Sequence, residues 1–251
     1  MREIFIFAIT LLCICSTTAQ DIQSLIQNGN QQYLEEEFES AIRTYERVID
    51  SGYVAADLYY NLGNSYFKSH KITSAILNYE RAILLAPNDD DIRYNLNLAR
   101  TFVVDKIEVL PQPFYLKWHK KVAGFFSSDL WAIISIICFI LFLIFFSLYL
   151  FVSTYRMKKS AFWVSIFVLF VSVSSFVFSF HHKRIITGHN TAIIFTPSVT
   201  VKSTPDESGT DLFLIHEGTK VRIEDTLGLW TGIKLEDGNK GWLLTSDIVK
   251  I

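Results

Sequence analysis

Residues 56–89 read ADLYYNLGNSYFKSHKITSAILNYERAILLAPND, and the chain on either side repeats parts of them. Gly29-Asn30 returns as Gly63-Asn64, Ala41-Ile42 as Ala75-Ile76, and Tyr45-Glu46-Arg47 as Tyr79-Glu80-Arg81, each 34 residues on. Phe38 returns as Ile72, Ile49 as Ile83, and Tyr60-Asn61-Leu62 as Tyr94-Asn95-Leu96. A unit this short cannot bury its apolar side alone, so copies must stack on their neighbours. Within one copy the spacing predicts two helices: Gly63 and Ala75 are small where they cross, and Pro87 ends the second.

On Asn61-Leu62-Gly63-Asn64, Tyr66, Ala75, Tyr79, Ala82 and Pro87 the chain resembles the tetratricopeptide (TPR) helix-turn-helix repeat. A TPR domain is expected over 20–103. Its first repeat departs from the pattern at Asn28 and Gln32, and its third supplies one helix only, about residues 90–102. Two and a half repeats fall short of the three or so that bury a continuous core, so the segment after Arg100, a second subunit or a partner is expected to cap the array. The resemblance implies a peptide groove lined by the first helix of each repeat. By repeat position Asn30, Tyr33, Tyr60, Asn64, Phe67, Lys68 and Tyr94 face it. Asn30 and Asn61 match the amides of arrays that clamp a C-terminal carboxylate, but Ile26 and Asp91 stand where that clamp needs cations. A neutral or basic peptide fits better; the alternative is that these side chains meet solvent or pack helices. Glu35-Glu36-Glu37 fall in a turn and point apart, unlike carboxylates converging for acid–base work.

Two apolar runs follow, Leu130–Val152 and Ala161–Phe180, neither holding Asp, Glu, Lys or Arg. About 20 residues at 1.5 Å each cross a hydrocarbon core roughly 30 Å thick. Transmembrane helices are therefore expected over 129–153 and 161–181, joined by a turn, 154–160, that carries Arg156, Lys158 and Lys159. Ser128 or Asp129 is expected to cap the first. Ser165, Ser172, Ser175 and Ser179 form one stripe that packs on the first span or on another protein. Leu110-Pro111-Gln112-Pro113 ends the helical repeats, and 104–128 reads as an interfacial segment. It places Phe114, Trp118, Val122, Phe125 and Phe126 among lipid headgroups, with Lys117, Lys120 and Lys121 near the phosphates. His181-His182 reads as interfacial, not as a metal pair.

The first 19 residues read as a signal peptide: Arg2, an apolar run from Ile4 to Cys15, and small residues at 17 and 19 for cleavage after Ala19. The alternative is an uncleaved anchor. Leu12 and Ile14, before Cys13 and Cys15, exclude a lipoprotein. Either reading exports 20–128, leaves the turn inside and returns the C-terminus to the outside. The basic residues fit this only in part, since Lys117, Lys120, Lys121, Lys183 and Arg184 flank the outer ends.

After a linker, 182–190, the period changes to short strands at 191–195, 199–203, 220–225, 230–235 and 240–244, with Asp237-Gly238 as a hairpin turn. Leu214, His216-Glu217-Gly218-Thr219, Val221, Trp230, Asp237-Gly238 and Gly241-Trp242-Leu243 resemble the bacterial SH3-like (SH3b) family over 191–251. The resemblance implies binding of cell-wall glycopeptide or protein segments. Trp230 and Trp242 are either an aromatic platform or barrel core. The fold class is thus a multidomain membrane protein: all-α TPR repeats, two transmembrane helices and a C-terminal all-β SH3-like barrel.

A net charge of −2 without a basic block excludes nucleic acid as a partner. Only Cys13, Cys15 and Cys138 are present, so the soluble parts lack disulfides, thiolate zinc sites and a cysteine nucleophile. No nucleophile–base pair, metal cluster or phosphate loop is legible; no enzyme activity and no cofactor is expected. As a whole, this domain order resembles the BatE-type proteins of bacterial aerotolerance operons. So do Asp105-Lys106-Ile107-Glu108 through Leu110-Pro111-Gln112-Pro113, and Asp129-Leu130-Trp131-Ala132. The resemblance implies a periplasmic complex with membrane-anchored von Willebrand factor A-type proteins and a MoxR-type ATPase, linked to oxidative or envelope stress. Two functions follow: a protein-binding scaffold at the inner membrane, or a receptor that binds peptidoglycan through the SH3-like domain.

Overall fold

In the computed structural model the repeats fold as α1 (residues 20–34), α2 (Phe38–Asp50), α3 (Ala56–Lys68), α4 (Ile72–Leu85) and α5 (Asp90–Arg100). Residues 20–107, 113–188 and 190–251 are described. The signal segment, Glu108, Leu110-Pro111-Gln112 and the side chains of Lys117, Lys120 and His182 lie outside them. The α1–α2 and α3–α4 turns repeat in backbone as well as in sequence: Glu36 and His70, one period apart, hold φ of +62° and +61°. Ala41 and Ala75 are fully buried at the crossings, with Ile42, Ile76, Leu58 and Leu62 around them. Asp89 starts α5 by accepting the N–H groups of Asp91 and Ile92, both at 3.0 Å. Lys106 Nζ closes its far end on the carbonyls of Thr101 (2.9 Å) and Val103 (2.8 Å).

The C-terminal strands are β1 (Thr191–Ile194), β2 (Ser198–Lys202), β3 (Asp211–His216), β4 (Lys220–Leu227), β5 (Trp230–Lys234), β6 (Lys240–Leu244) and β7 (Ile248–Lys250). They form an antiparallel sheet in the order β3-β2-β6-β5-β4-β1-β7. Its core holds Ala192, Ile194, Val201, Ile215, Val221, Ile233 and Leu243.

The sheet is not a module separate from the repeats. Residues 20–85, 89–107 and 190–251 form one compact unit. Strand β1 explains why: Ala192, Ile193 and Ile194 are all buried, which a strand achieves only when both faces are covered. Ala192 and Ile194 enter the sheet core, while Ile193 turns the other way, into a cluster with Ala75, Ile76, Leu77, Tyr79, Leu96, Ala99 and Val103. Ile251 joins that cluster, with Phe195 and Val249 at its edge. Of the three caps expected for the short array, the structure uses the same chain: the segment after Arg100 through Val103, and the sheet.

Polar contacts tie the same junction. Glu80, 1% exposed, accepts from Arg100 of α5 and from Lys220 of β4, the latter at 2.6 Å. Asp105 accepts the His216 N–H (2.7 Å) and the Thr219 hydroxyl (2.7 Å), and its other oxygen lies 2.9 Å from His216 Nδ1. Burial alone would raise the Asp105 carboxyl, but these donors outweigh it and hold it below the usual carboxylate range. Thr73 donates to Glu217 at 2.8 Å, and Arg81 to the Lys250 carbonyl at 3.1 Å. Gly218 sits at φ +81°, and a Cβ there would lie 2.8 Å from Val103 Cγ2, so the β3–β4 turn presses on the end of the array. His216-Glu217 is therefore part of the junction.

The second unit contains α6 (Phe114–Ala123), α7 (Ser128–Phe151) and α8 (Tyr155–Thr187). Phe114, Trp118, Phe125 and Phe126 are exposed on and after α6. Helices α7 and α8 are long and apolar enough to cross a membrane. Ser127, not Ser128 or Asp129, caps α7 by accepting the Leu130 N–H at 3.3 Å. Only residues 152–154 break the helices; the expected turn 154–160 is helical from Tyr155, and the expected linker 182–190 is helical through Thr187. No Pro or Gly interrupts the chain between Thr154 and Gly188, so nothing stops α8 earlier. The serine stripe is spent inside the hairpin. Ser135 and Ser172 each donate to the other's carbonyl at 2.9 Å, Ser179 donates to the Ser128 carbonyl at 2.8 Å, and Ser165 and Ser175 are 1% exposed.

Candidate functional site

The first helices of the array are joined by a ladder that repeats with the sequence. Gly29 and Gly63 carry no Cβ because one would lie 2.6 Å from the Tyr45 ring and 2.7 Å from the Tyr79 ring. Each ring can therefore cross its neighbouring helix and donate its hydroxyl, Tyr45 to Asn30 Oδ1 and Tyr79 to Asn64 Oδ1, both at 2.7 Å. The same oxygens accept Nδ2 of the next first helix: Asn61 to Asn30 at 3.2 Å, and Asn95 to Asn64 at 3.0 Å. Asn95 also reaches the Tyr60 hydroxyl at 2.9 Å. Burial pushes the Tyr45 phenol up to about 12 and raises that of Tyr79 further, so both stay protonated donors.

This fixes what Asn30 and Asn64 can do. Their oxygens serve the array, while their Nδ2 groups make no hydrogen bond among the described residues. Lys68, exposed one turn beyond Asn64, adds a third donor. Around these lie the half-buried Tyr33, Tyr60 and Phe67 and the exposed Tyr94, at 68%. Phe67 is braced edge-on by Phe102, ring centroids 5.7 Å apart, and Tyr60 lies 6.1 Å from Tyr79. Burial, then the nearby Tyr60, raises the Tyr33 phenol.

Residues 56–89 match the tetratricopeptide repeat family. A search of curated proteins finds no match to the chain. The matched repeat holds Gly63, Asn64 and Tyr79 of the ladder, and the repeat before it holds their counterparts Gly29, Asn30 and Tyr45.

Leu34, Leu98 and Phe102, at repeat positions shared with the expected groove residues Lys68 and Asn64, are exposed too, and the sequence reading did not name them. The signal was available: Leu34 and Phe102 stand one period either side of Lys68, and Leu98 stands one period after Asn64. The face is thus more apolar toward α5 than the sequence reading drew it. Asp57 and Asp91 lie about a turn before Tyr60 and Tyr94 on the same helix faces.

In the sheet, β5 and β6 pair Trp230 with Leu244 and Gly232 with Trp242, so both tryptophans are on one face, offset by one pair. That face is opposite the one bearing the buried Ile233 and Leu243. The Trp242 ring covers Gly232, where a Cβ would lie 3.3 Å from Cη2. Neither tryptophan is part of the core; both are half-buried on the outer surface.

Proposed function

We propose that the chain is a membrane-anchored scaffold whose TPR face holds an extended segment of a protein partner. The observation that carries this is the first-helix face on which Asn30 and Asn64 keep their Nδ2 groups outside the ladder's hydrogen bonds, beside the exposed Lys68 and Tyr94. Nδ2 of Asn30, Nδ2 of Asn64 and Nζ of Lys68 match the carbonyls of an extended peptide, and Tyr94, Leu98 and Phe102 offer surface to its side chains. Asp57 and Asp91 favour a neutral or basic segment. No catalytic step enters this reading.

The hairpin α7–α8 supplies the anchor. A shared core between array and sheet requires both on one side of a bilayer, and an even number of crossings between them meets that requirement. With the signal segment read as an export signal, that side is the periplasm of a bacterial inner membrane. The resemblance to BatE-type proteins supports partners of the von Willebrand factor A type and a MoxR-type ATPase in an aerotolerance complex. The SH3-like likeness of the sheet supports a second reading, a peptidoglycan receptor, favoured by Trp230 and Trp242 sharing an outer face.

Placing a photo-crosslinking phenylalanine analogue at Tyr94 of the full chain, in cells, tests the scaffold reading. Captured proteins should differ from those taken by the same probe at Arg43 on α2, and should be lost in Leu98→Lys. Identical sets from both sites would refute the groove. Sedimentation of the full chain with purified cell wall, lost on Trp230→Ala or Trp242→Ala, would favour the receptor instead.

A further inference from the structure

On α3, Leu62 and Tyr66 stand opposite Tyr60, Asn64 and Lys68, and they line a cavity of about 480 Å³. Helix α2 contributes one of its faces to it, Glu46, Ile49 and Asp50. Helix α4 does the same with Ser74, Asn78 and Arg81. Phe195, just after β1, and Val249 of β7 complete the wall. All these residues belong to the unit that array and sheet form together.

Asn78 and Arg81 lack the partners that burial demands. Asn78 is 3% exposed, and its Nδ2 donates to the Ser74 carbonyl at 2.9 Å, which fixes the orientation of the amide. Its Oδ1 accepts no hydrogen bond among the described residues. Buried acceptors left this way are few in a folded protein, and each calls for a cause. The half-buried Arg81 gives one N–H to the Lys250 carbonyl at 3.1 Å and stands 5.8 Å from the centre of the Tyr59 ring. No carboxylate among the described residues pairs with it, and burial lowers its guanidinium below the ordinary value. On α2, Glu46 takes the Tyr66 hydroxyl but no cation, and the exposed Asp50 has no ion pair among the described residues either.

A group that answers all of these brings an anion for Arg81, and a cation with N–H donors for Asn78 Oδ1 and the α2 carboxylates. It must also bring them close together, because Asn78 and Arg81 lie one turn apart, with about 5–6 Å between their Cβ atoms. An α-amino acid carries both charges on one carbon. A peptide terminus carries only one of them. The remaining walls, Ile49, Leu62, Leu77, Phe195 and Val249, suit an apolar side chain. We infer that this cavity binds a free α-amino acid with an apolar side chain, its carboxylate on Arg81 and its ammonium on Asn78 Oδ1, Glu46 and Asp50. Because helices and sheet both wall the cavity, binding adds to the stability of the joined array and sheet.

Calorimetric titration of the full chain in nanodiscs tests this with L-leucine and L-phenylalanine. Isoamylamine and isocaproate, which each lack one charge of leucine, are the comparison probes. The inference expects at least one of the amino acids to bind at millimolar concentration or below, and each single-charge probe to bind about tenfold more weakly or worse, the loss of one charged hydrogen bond. Asp50→Asn, at an exposed position with no hydrogen bond of its side chain in the fold, should weaken the amino acid severalfold. Asn78→Leu, which removes the acceptor and fills the cavity, should abolish binding. Isoamylamine binding as tightly as leucine marks a plain cation site, and isocaproate doing so marks a plain anion site; either overturns the inference. So does binding of neither amino acid at millimolar concentration, and so does binding that survives both substitutions, which lies elsewhere on the chain.

Discussion

Glu80 offers the sharpest perturbation of the junction between array and sheet. Its carboxylate is buried in α4 and takes Arg100 on one oxygen and Lys220 on the other. Glu80→Gln keeps the shape and removes the charge, leaving two cations facing a neutral amide. Breaking a fully buried pair costs about 3–5 kcal/mol. Here the partners' side chains are 39% and 25% exposed, so water recovers part of their solvation and the expected loss falls to about 2 kcal/mol. For a unit of this size that lowers Tm by about 4–8 °C. Lys220→Met removes only the arm from β4. In urea, which leaves charges unscreened, the double variant should lose less than the two single losses added together, by about 1 kcal/mol or more. Additive losses within about 0.3–0.5 kcal/mol would refute the claim that this carboxylate couples helix to sheet.

The Asp105 carboxyl is held low by its donors, so its stabilisation is complete above the ordinary Asp value and is lost as pH falls through the lower, folded one. Urea midpoints below about pH 4 should therefore drop more steeply in the native chain than in Asp105→Asn. Gly63→Ala should destabilise by about 1–3 kcal/mol even though alanine is the better helix former, because its Cβ would sit 2.7 Å from the buried Tyr79 ring; thermal unfolding checks the sign. Ser172→Ala removes one of the two reciprocal bonds to Ser135 and should cost the hairpin about 0.6 kcal/mol, measurable by steric-trap unfolding in bicelles, whereas Ser172→Leu should cost several times more.

The repeats were legible because each signature residue has a local job. Gly63 admits Tyr79, Tyr79 meets Asn64, and Asn64 meets Asn95, all at fixed offsets along one chain direction. The two apolar helices were legible from composition alone, but their ends were not, since α8 stops at the first glycine and not where the apolar run stops. The docking of sheet on array was missed because it joins residues more than a hundred positions apart, such as Asp105 with His216 and Glu80 with Lys220. A local trace existed: Ala192-Ile193-Ile194-Phe195 is continuous where a strand wet on one side would alternate. The face carried by the first helices was half legible. Its polar and aromatic positions followed the period, while Leu34, Leu98 and Phe102 passed as ordinary helix residues until their exposure was seen.

The TPR array and the C-terminal sheet fold as one body. Native-state amide exchange of the full chain across a urea series tests it directly. The slowest amides of α4 and α5 and those of β1 and β4 should merge into a single unfolding isotherm, with one free energy and one slope. Separate isotherms, the sheet opening while α4 and α5 stay protected, would contradict it.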